Sequence, residues 1–491
     1  MSAPHQALLI WLLLLSTACG SGVIVDGTED DPEEDRIDMS GRPDQGQDLP
    51  DVPDMSLPPA DMTVTPDMMV EPDMMVEPDM APDMMVEPDM MEIEGWPALY
   101  PADRDDSPIT PSVRENLRVI AAKRADFRDN VFAKIGDSNT VNAGFLSCFA
   151  GMNVDLGGRQ ALNPTINFFR GGDAAGATPY DRTSLAATVG WSAGSAIAGN
   201  PSPVQQEVAA IKPRFAFVMF GTNDIQARQL YTYAEHMITL TDGLIEEGVL
   251  PILSTIPARL DNADANLQVP RYNAVVRAIA QSRQIPLIDL HRVLSRIPGQ
   301  GLSQDGLHLN QRTGGAGACD LSAAGLMFGH NARNLLAVTM LDKLRTAVLE
   351  DGPAPDPAGQ PLAGVGTSAD PFVIPGLPFV HAADTSRGGQ DLFDRYTGCN
   401  ATQNEGGREF VYTITLTQPT TLRAHVFDVG DVDIDLHLLN ASGQPAGCIA
   451  RHDKEIVRAL QPGTYTIILD TFVSASGAER AGEYHLVLLA D

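Results

Sequence analysis

Basic residues are scarce in this chain of 491 residues: 33 Lys and Arg stand against 64 Asp and Glu, a formal charge of −31. Phosphate recognition needs a basic patch, so the balance argues against nucleic acid as a partner. Long apolar runs are missing as well. The run Leu8 to Leu15 has eight residues, where a helix crossing a bilayer needs about 20. No other stretch is long and apolar enough to span as a helix. Cysteine is sparse, with five in the chain. None of them, and no histidine, accompanies the methionine-rich stretch near the N-terminus, so no soft-metal site is expected there. Nothing else in the pattern requires a metal or a cofactor.

The acidity is local. Residues 20–95 hold 23 acidic and 2 basic side chains, which leaves about −10 for the rest. Within that segment Pro66 to Glu94 repeats Pro-Asp-Met-Met-Val-Glu with small variations. A proline every few residues prevents a regular helix, and like charges repel. Residues 20–95 therefore read as an extended, disordered stalk. The short apolar run before it fits the hydrophobic region of an export signal. It ends in Leu15-Ser16-Thr17-Ala18-Cys19, which resembles a bacterial lipoprotein cleavage box. That resemblance implies a signal over residues 1–19, lipidation of Cys19 and a membrane-anchored, exported protein. An ordinary secretory signal with a soluble product is the alternative.

Residues 96–350 read as one α/β unit. Phe215–Phe220, Pro251–Ile256 and Ile285–Leu290 are strand-length runs, apolar on both faces, as in a parallel sheet covered on both sides. Helical spacing of apolar residues over about 229–247 and 266–283 lies between them, and a last helical stretch over about 322–350 closes the unit. Strand alternating with helix implies a doubly wound parallel sheet, whose sites lie at the carboxyl ends of the strands. Residues 351–370, rich in Pro, Gly, Ala and Asp, read as a linker. From 371 to 491 short β-rich runs separated by turn signals predict an antiparallel β-sandwich.

The candidate chemistry begins where the apolar strand Val131–Ile135 runs into Gly136-Asp137-Ser138. Ser138 is the candidate nucleophile, presented at a strand end. Gly221-Thr222-Asn223-Asp224 follows directly on the Phe215–Phe220 strand, and Asp305-Gly306-Leu307-His308 lies near the end of the unit. A serine hydroxyl needs a base, which His308 supplies as neutral imidazole, with Asp305 three residues earlier to orient it. These three blocks, in this order, resemble the SGNH (GDSL-type) hydrolase family. The resemblance implies a flavodoxin-like fold and an exported serine esterase with the triad Ser138, His308 and Asp305 and no cofactor. It also implies an oxyanion hole from the Ser138 N–H, the Asn223 amide and a glycine N–H. Gly194 is the choice for that glycine, with Gly190 second. Each such donor is worth roughly 3–4 kcal/mol of transition-state stabilisation. The substrate would be an acyl or acetyl ester, on a carbohydrate, a lipid or a small aryl alcohol, and the protein a monomer. A binding or adhesion lipoprotein with a non-catalytic hydrolase-like unit is the alternative.

Several residues compete. Gly190-Trp191-Ser192-Ala193-Gly194 fits the Gly-x-Ser-x-Gly elbow of α/β-hydrolases, which would make Ser192 the nucleophile. Asp289, at a strand end, competes with Asp305 but reads as structural. His236, His291 and His330 have no motif around them. Residues 145–185 read as a surface insertion shaping the cleft. Asp428, Asp431, Asp433 and Asp435 alternate in a way calcium could use, though a solvated strand face or turn is preferred. Leu460-Gln461-Pro462-Gly463-Thr464-Tyr465 before a strand resembles the bacterial pre-peptidase C-terminal β-sandwich, which implies an accessory module. Of the three pairings open to Cys148, Cys319, Cys399 and Cys448, one within each unit is favoured: Cys148–Cys319 and Cys399–Cys448. Four free buried thiols are the alternative.

Overall fold

The structure, a computed structural model, describes residues 97–401 and 403–491. The export signal, Cys19 and the acidic stalk lie outside the described residues. Among the described residues no helix is long and apolar enough to cross a membrane.

The central unit is built on four parallel strands: β1 (Arg128–Gly136), β2 (Pro213–Met219), β3 (Leu250–Ser254) and β4 (Leu287–Ile288), hydrogen-bonded in that order. β2 and β3 are buried along their whole length, which is why they read as unbroken apolar runs. Beyond β1, Gly136 bridges Ala187 in parallel, through Gly136 N–H to the Ala186 carbonyl and Thr188 N–H to the Gly136 carbonyl, each 3.2 Å. With that short segment counted, the second piece of sheet in the chain lies outside the first. This is the order of a flavodoxin-like, doubly wound sheet. β4 is shorter than the run Ile285–Leu290 suggests. Asp289 leaves the ladder and caps the next helix, accepting from the Arg292 N–H at 3.2 Å.

Five helices matter for the site and its support: α1 (Ser138–Val141), α2 (Asn163–Arg170), α3 (Leu230–Glu246), α4 (Val269–Ser282) and α5 (Gly329–Leu344). The stretch expected as one helix over 322–350 is broken. A 3-10 turn, Gly325–Met327, precedes α5, and a π turn, Arg345–Leu349, follows it.

The reading of residues 145–185 as a surface insertion is corrected. Phe145, Phe149, Phe169 and Tyr180 are all buried. Phe132 of β1 packs on Phe169 and Tyr180 with ring centroids 5.6 and 5.3 Å apart. The segment is the layer that covers one face of β1, and each buried aromatic contributes about 1.5–3 kcal/mol. The Cys148–Cys319 disulfide pins it to the segment that follows His308, across 171 residues of sequence.

Residues 372–490 form two facing sheets, of order β10-β9-β12-β7-β5 and β11-β8-β13-β6. Here β5 is Phe372–Val373, β6 Phe379–Asp384, β7 Glu409–Leu416, β8 Thr420–Asp428 and β9 Ile434–Leu439; β10 is Cys448–His452, β11 Glu455–Leu460, β12 Gly463–Thr471 and β13 Glu483–Ala490. All pairs are antiparallel except β5 with β7. The inner faces bury Phe410, Tyr412, Ile414, Leu436, Leu438, Ile467 and Leu486. Cys399 and Cys448 are joined, with Cα atoms 5.2 Å apart. The sandwich docks on α3 and α4. Tyr231 Oη lies 3.0 Å from His425 Nδ1 and donates to the Lys454 carbonyl at 2.9 Å, and Arg283 pairs with Glu483. Phe427, Val487 and Leu489 join the central hydrophobic core. The 351–370 segment is fastened rather than loose, since Asp356 accepts from Arg104 Nη2 and the Ile109 N–H, both at 2.8 Å.

The sandwich interior carries charge-bearing groups that set a pH dependence. Burial, with the Asp435 carboxylate nearby, pushes Glu405 up to about 8, and burial pushes Glu409 up to about 7. A carboxyl raised in the fold holds its proton longer than in the unfolded chain. Its stabilisation is therefore complete below the ordinary carboxylate range and is lost as pH rises through the folded value. The buried histidines His381, His425 and His437 are all lowered by burial, and they oppose this trend only below about pH 6.5. The expected result is a urea midpoint that falls between about pH 6.5 and 8, above the range where the histidines oppose it, and levels off beyond the folded value of Glu405. A flat or rising midpoint there, by tryptophan fluorescence or circular dichroism, contradicts it.

Candidate active site

β1 delivers the first residue. Its end is tight: a Cβ on Gly136 would sit 2.3 Å from Thr140 Oγ1 and 2.7 Å from the Met219 carbonyl, so only glycine lets α1 fold back there. Asp137 then caps α1, its Oδ1 accepting from the Asn139 N–H at 3.0 Å. Asp137 is fully buried, and burial pushes its carboxyl up to about 6 against the pull of that N–H.

Ser138 Oγ lies 2.9 Å from His308 Nε2, across 170 residues of sequence. His308 Nδ1 lies 2.7 Å from Asp305 Oδ2, while Asp305 Oδ1 accepts from the N–H groups of Leu307 and His308, both at 3.0 Å. Burial works to raise the Asp305 carboxyl but is outweighed by the His308 ring and these two N–H groups, which hold it down at about 2. An ionised Asp305 keeps the proton on Nδ1 and leaves the Nε2 lone pair facing Ser138. The pair is open to solvent, with the His308 side chain 36% and the Asp305 side chain 50% exposed.

Asn223 follows β2 through Phe220, Gly221 and Thr222. Gly221 takes φ +126°, a conformation suited to glycine. The Asn223 amide donates to the Trp191 carbonyl at 2.9 Å. The neighbouring Asp224 carboxylate accepts from the N–H groups of Ala193 and Gly221, both at 3.0 Å. The loop after Ala187 and the loop after β2 are thus tied together at the carboxyl edge of the sheet, beside the end of β1.

The two candidate glycines differ. Gly194 lies inside the short helix Ala193–Ile197, where an added Cβ would meet the His236 ring at 2.6 Å. Gly190 stands free in the loop at φ +81°, one residue before the carbonyl that Asn223 holds. Ser192 caps that short helix, and its Oγ lies 3.1 Å from Ser195 Oγ. Asp289 accepts from Thr255 Oγ1 and Arg277 Nη2, both at 2.9 Å, and serves the β3–β4 edge. His330 is buried with neither ring nitrogen hydrogen-bonded. Asp435 pairs with Arg451 at 2.6 Å. Among the described residues no group of three or more His, Cys, Asp or Glu is arranged to hold a metal.

Sequence reasoning overlooked Asn139 and the start of α5. Asn139 Oδ1 accepts from the Leu309 N–H at 2.9 Å, so the residue after the serine holds the residue after the histidine. The available signal in α5 was His330-Asn331-Ala332-Arg333-Asn334, a polar run opening an otherwise apolar helix.

Residues 135–313 match the model of the GDSL-like Lipase/Acylhydrolase family. No curated protein matches the chain by sequence. Among solved structures, a catalytic mutant of an acetylxylan esterase from Geobacillus stearothermophilus is 18% identical, covering 42% of this chain and 93% of its own, with TM-score 0.28. A GDSL-like lipase from Bacteroides thetaiotaomicron is 12% identical over 47% of this chain and 97% of its own, with TM-score 0.30. The pre-peptidase C-terminal domain of a collagenase from Bacillus anthracis is 15% identical over 24% of this chain and 91% of its own, with TM-score 0.16. Likenesses of this size assign neither a substrate nor a mechanism.

Proposed function

We propose, from the premise that residues 135–313 form a GDSL-like lipase/acylhydrolase domain, that this chain hydrolyses carboxylic esters with Ser138 as nucleophile. The observation that carries the reading is the continuous chain Ser138 Oγ, His308 Nε2, His308 Nδ1, Asp305 Oδ2, with links of 2.9 and 2.7 Å. His308 takes the hydroxyl proton as Oγ attacks the acyl carbon, and returns it to the departing alkoxide as the ester C–O bond breaks. A water, deprotonated by the same nitrogen, then releases the acid. The oxyanion is held by the Ser138 N–H, the Asn223 amide and a glycine N–H. The open position of Gly190 beside the Asn223 contact favours it over Gly194 for the third donor.

The exposure of Asp305 and His308 supports a substrate with a small acyl group on a larger alcohol, such as an acetylated carbohydrate or a lipid head. Two disulfides support an oxidising, extracellular setting, consistent with export and with lipid anchoring at Cys19. The test is labelling with a fluorophosphonate followed by peptide mapping. Modification of Ser138 is expected; modification of Ser192 instead, or of no serine, overturns the reading.

A further inference from the structure

The opening turns of α5 carry polar side chains that ordinary helix packing does not need. Arg333, Asn331, Asn334 and His330 are all buried, while the rest of the helix is anchored in the core by Ala337, Val338, Met340, Leu341 and Leu344. Arg333 Nη1 donates to the Asn139 carbonyl at 2.8 Å and Nη2 to Thr140 Oγ1 at 3.1 Å. Its guanidinium carbon stands 3.6 Å from the centroid of the Phe145 ring. Asn334 accepts from the Leu146 N–H and donates to the Gly144 carbonyl, both at 2.9 Å. The same helix grips the segment after His308: the Gly329 N–H donates to Asn310 Oδ1 at 2.8 Å, and Asn331 accepts from the Arg312 N–H at 3.1 Å. One rigid element therefore holds both the serine turn and the histidine loop, and Asn139 closes the link between them through the Leu309 N–H.

We infer that Arg333 is a positioning residue for the proposed ester hydrolysis: its guanidinium fork sets the Ser138 turn in register with His308. The fork is aimed at the two residues that follow Ser138, and among the described residues no other α5 side chain is hydrogen-bonded to them. The buried Asp137 carboxylate supports the Arg333 charge without a hydrogen bond to it. A buried cation is costly unless it is paired and hydrogen-bonded, so its place under the nucleophile is a requirement of that loop rather than of the core. A planar fork satisfies two acceptors at once, which a lysine ammonium on a flexible stem does not reproduce.

The inference rests on the ester-hydrolase reading, and the experiment separates the two. The full chain and its Arg333→Met, Arg333→Lys and Asn139→Ala variants are assayed on a short-chain chromogenic ester, with turnover expressed per folded molecule. Misplacing a reacting group by about 1 Å costs about 100-fold, so R333M is expected to lose about that much in kcat with KM within about threefold. R333K is expected to regain part of it, to about tenfold below wild type, and N139A to lose about tenfold in kcat alone. A lower melting temperature with kcat per folded molecule unchanged overturns the inference, because a purely structural role predicts that result. Should R333M not fold, R333K and N139A decide: wild-type kcat in both overturns it. A wild-type protein that neither turns over the ester nor labels at Ser138 overturns the hydrolase reading and this inference with it.

Discussion

Ser138→Ala is expected to lower kcat by about a million-fold, to the residual rate that binding and oxyanion donors supply without a nucleophile. The effect follows from geometry. His308 Nε2 has Ser138 Oγ at 2.9 Å, so removing the hydroxyl leaves the imidazole with no group to activate. Ser192→Ala is the informative partner. Ser192 Oγ is hydrogen-bonded to Ser195 Oγ at 3.1 Å, so its loss is expected to cost about 0.5–1.5 kcal/mol of stability and to leave kcat within about threefold. Hydrolysis of a chromogenic acetyl ester and a urea titration on both variants measure the two effects. Retention of more than about one per cent of kcat in S138A would remove Ser138 from the mechanism, given the scale of loss expected for a nucleophile.

Asp305→Asn is expected to lower kcat by about a thousandfold. The amide keeps the shape but loses the charge that holds the proton on Nδ1 and stabilises the imidazolium, a loss of about 10⁴ in a buried triad. Here Asp305 is half exposed, and water screens part of the interaction, so a smaller effect is expected. Because Asp305 is held down at about 2, it stays a carboxylate across the working range. The acid limb of the wild-type pH–rate profile should then show no transition attributable to Asp305 between about pH 4 and 9. A D305N variant within tenfold of wild type would place the orienting acid elsewhere, and a new transition near pH 4 would contradict the assigned ionisation.

The three blocks around Ser138, Asn223 and His308 were legible in the sequence because each stands at a strand end or tight loop where residue type and backbone demand coincide. Gly136 and Gly221 show why: one sits where a Cβ would collide, the other at positive φ. The sandwich was legible for a related reason, since short β-rich runs between turn signals encode local geometry. Residues 145–185 misled, because without periodicity a covering layer and a surface loop share the same short, irregular pattern; only the burial of Phe149, Phe169 and Tyr180 distinguishes them. The sequence favoured Gly194 over Gly190 by its place before a helix-like run, but a glycine's usefulness as a donor depends on where its N–H points in the fold.

Local chemistry, read one block at a time, was sufficient for fold class, for the parallel and antiparallel halves, and for which serine, asparagine, aspartate and histidine to examine. The tertiary structure alone decided how they are held: Asn139 reaching Leu309, Arg333 gripping the serine turn, and the sandwich seated on α3 and α4. These are contacts between residues far apart in the chain, and a side chain's distant partner leaves no period or spacing in the sequence around it.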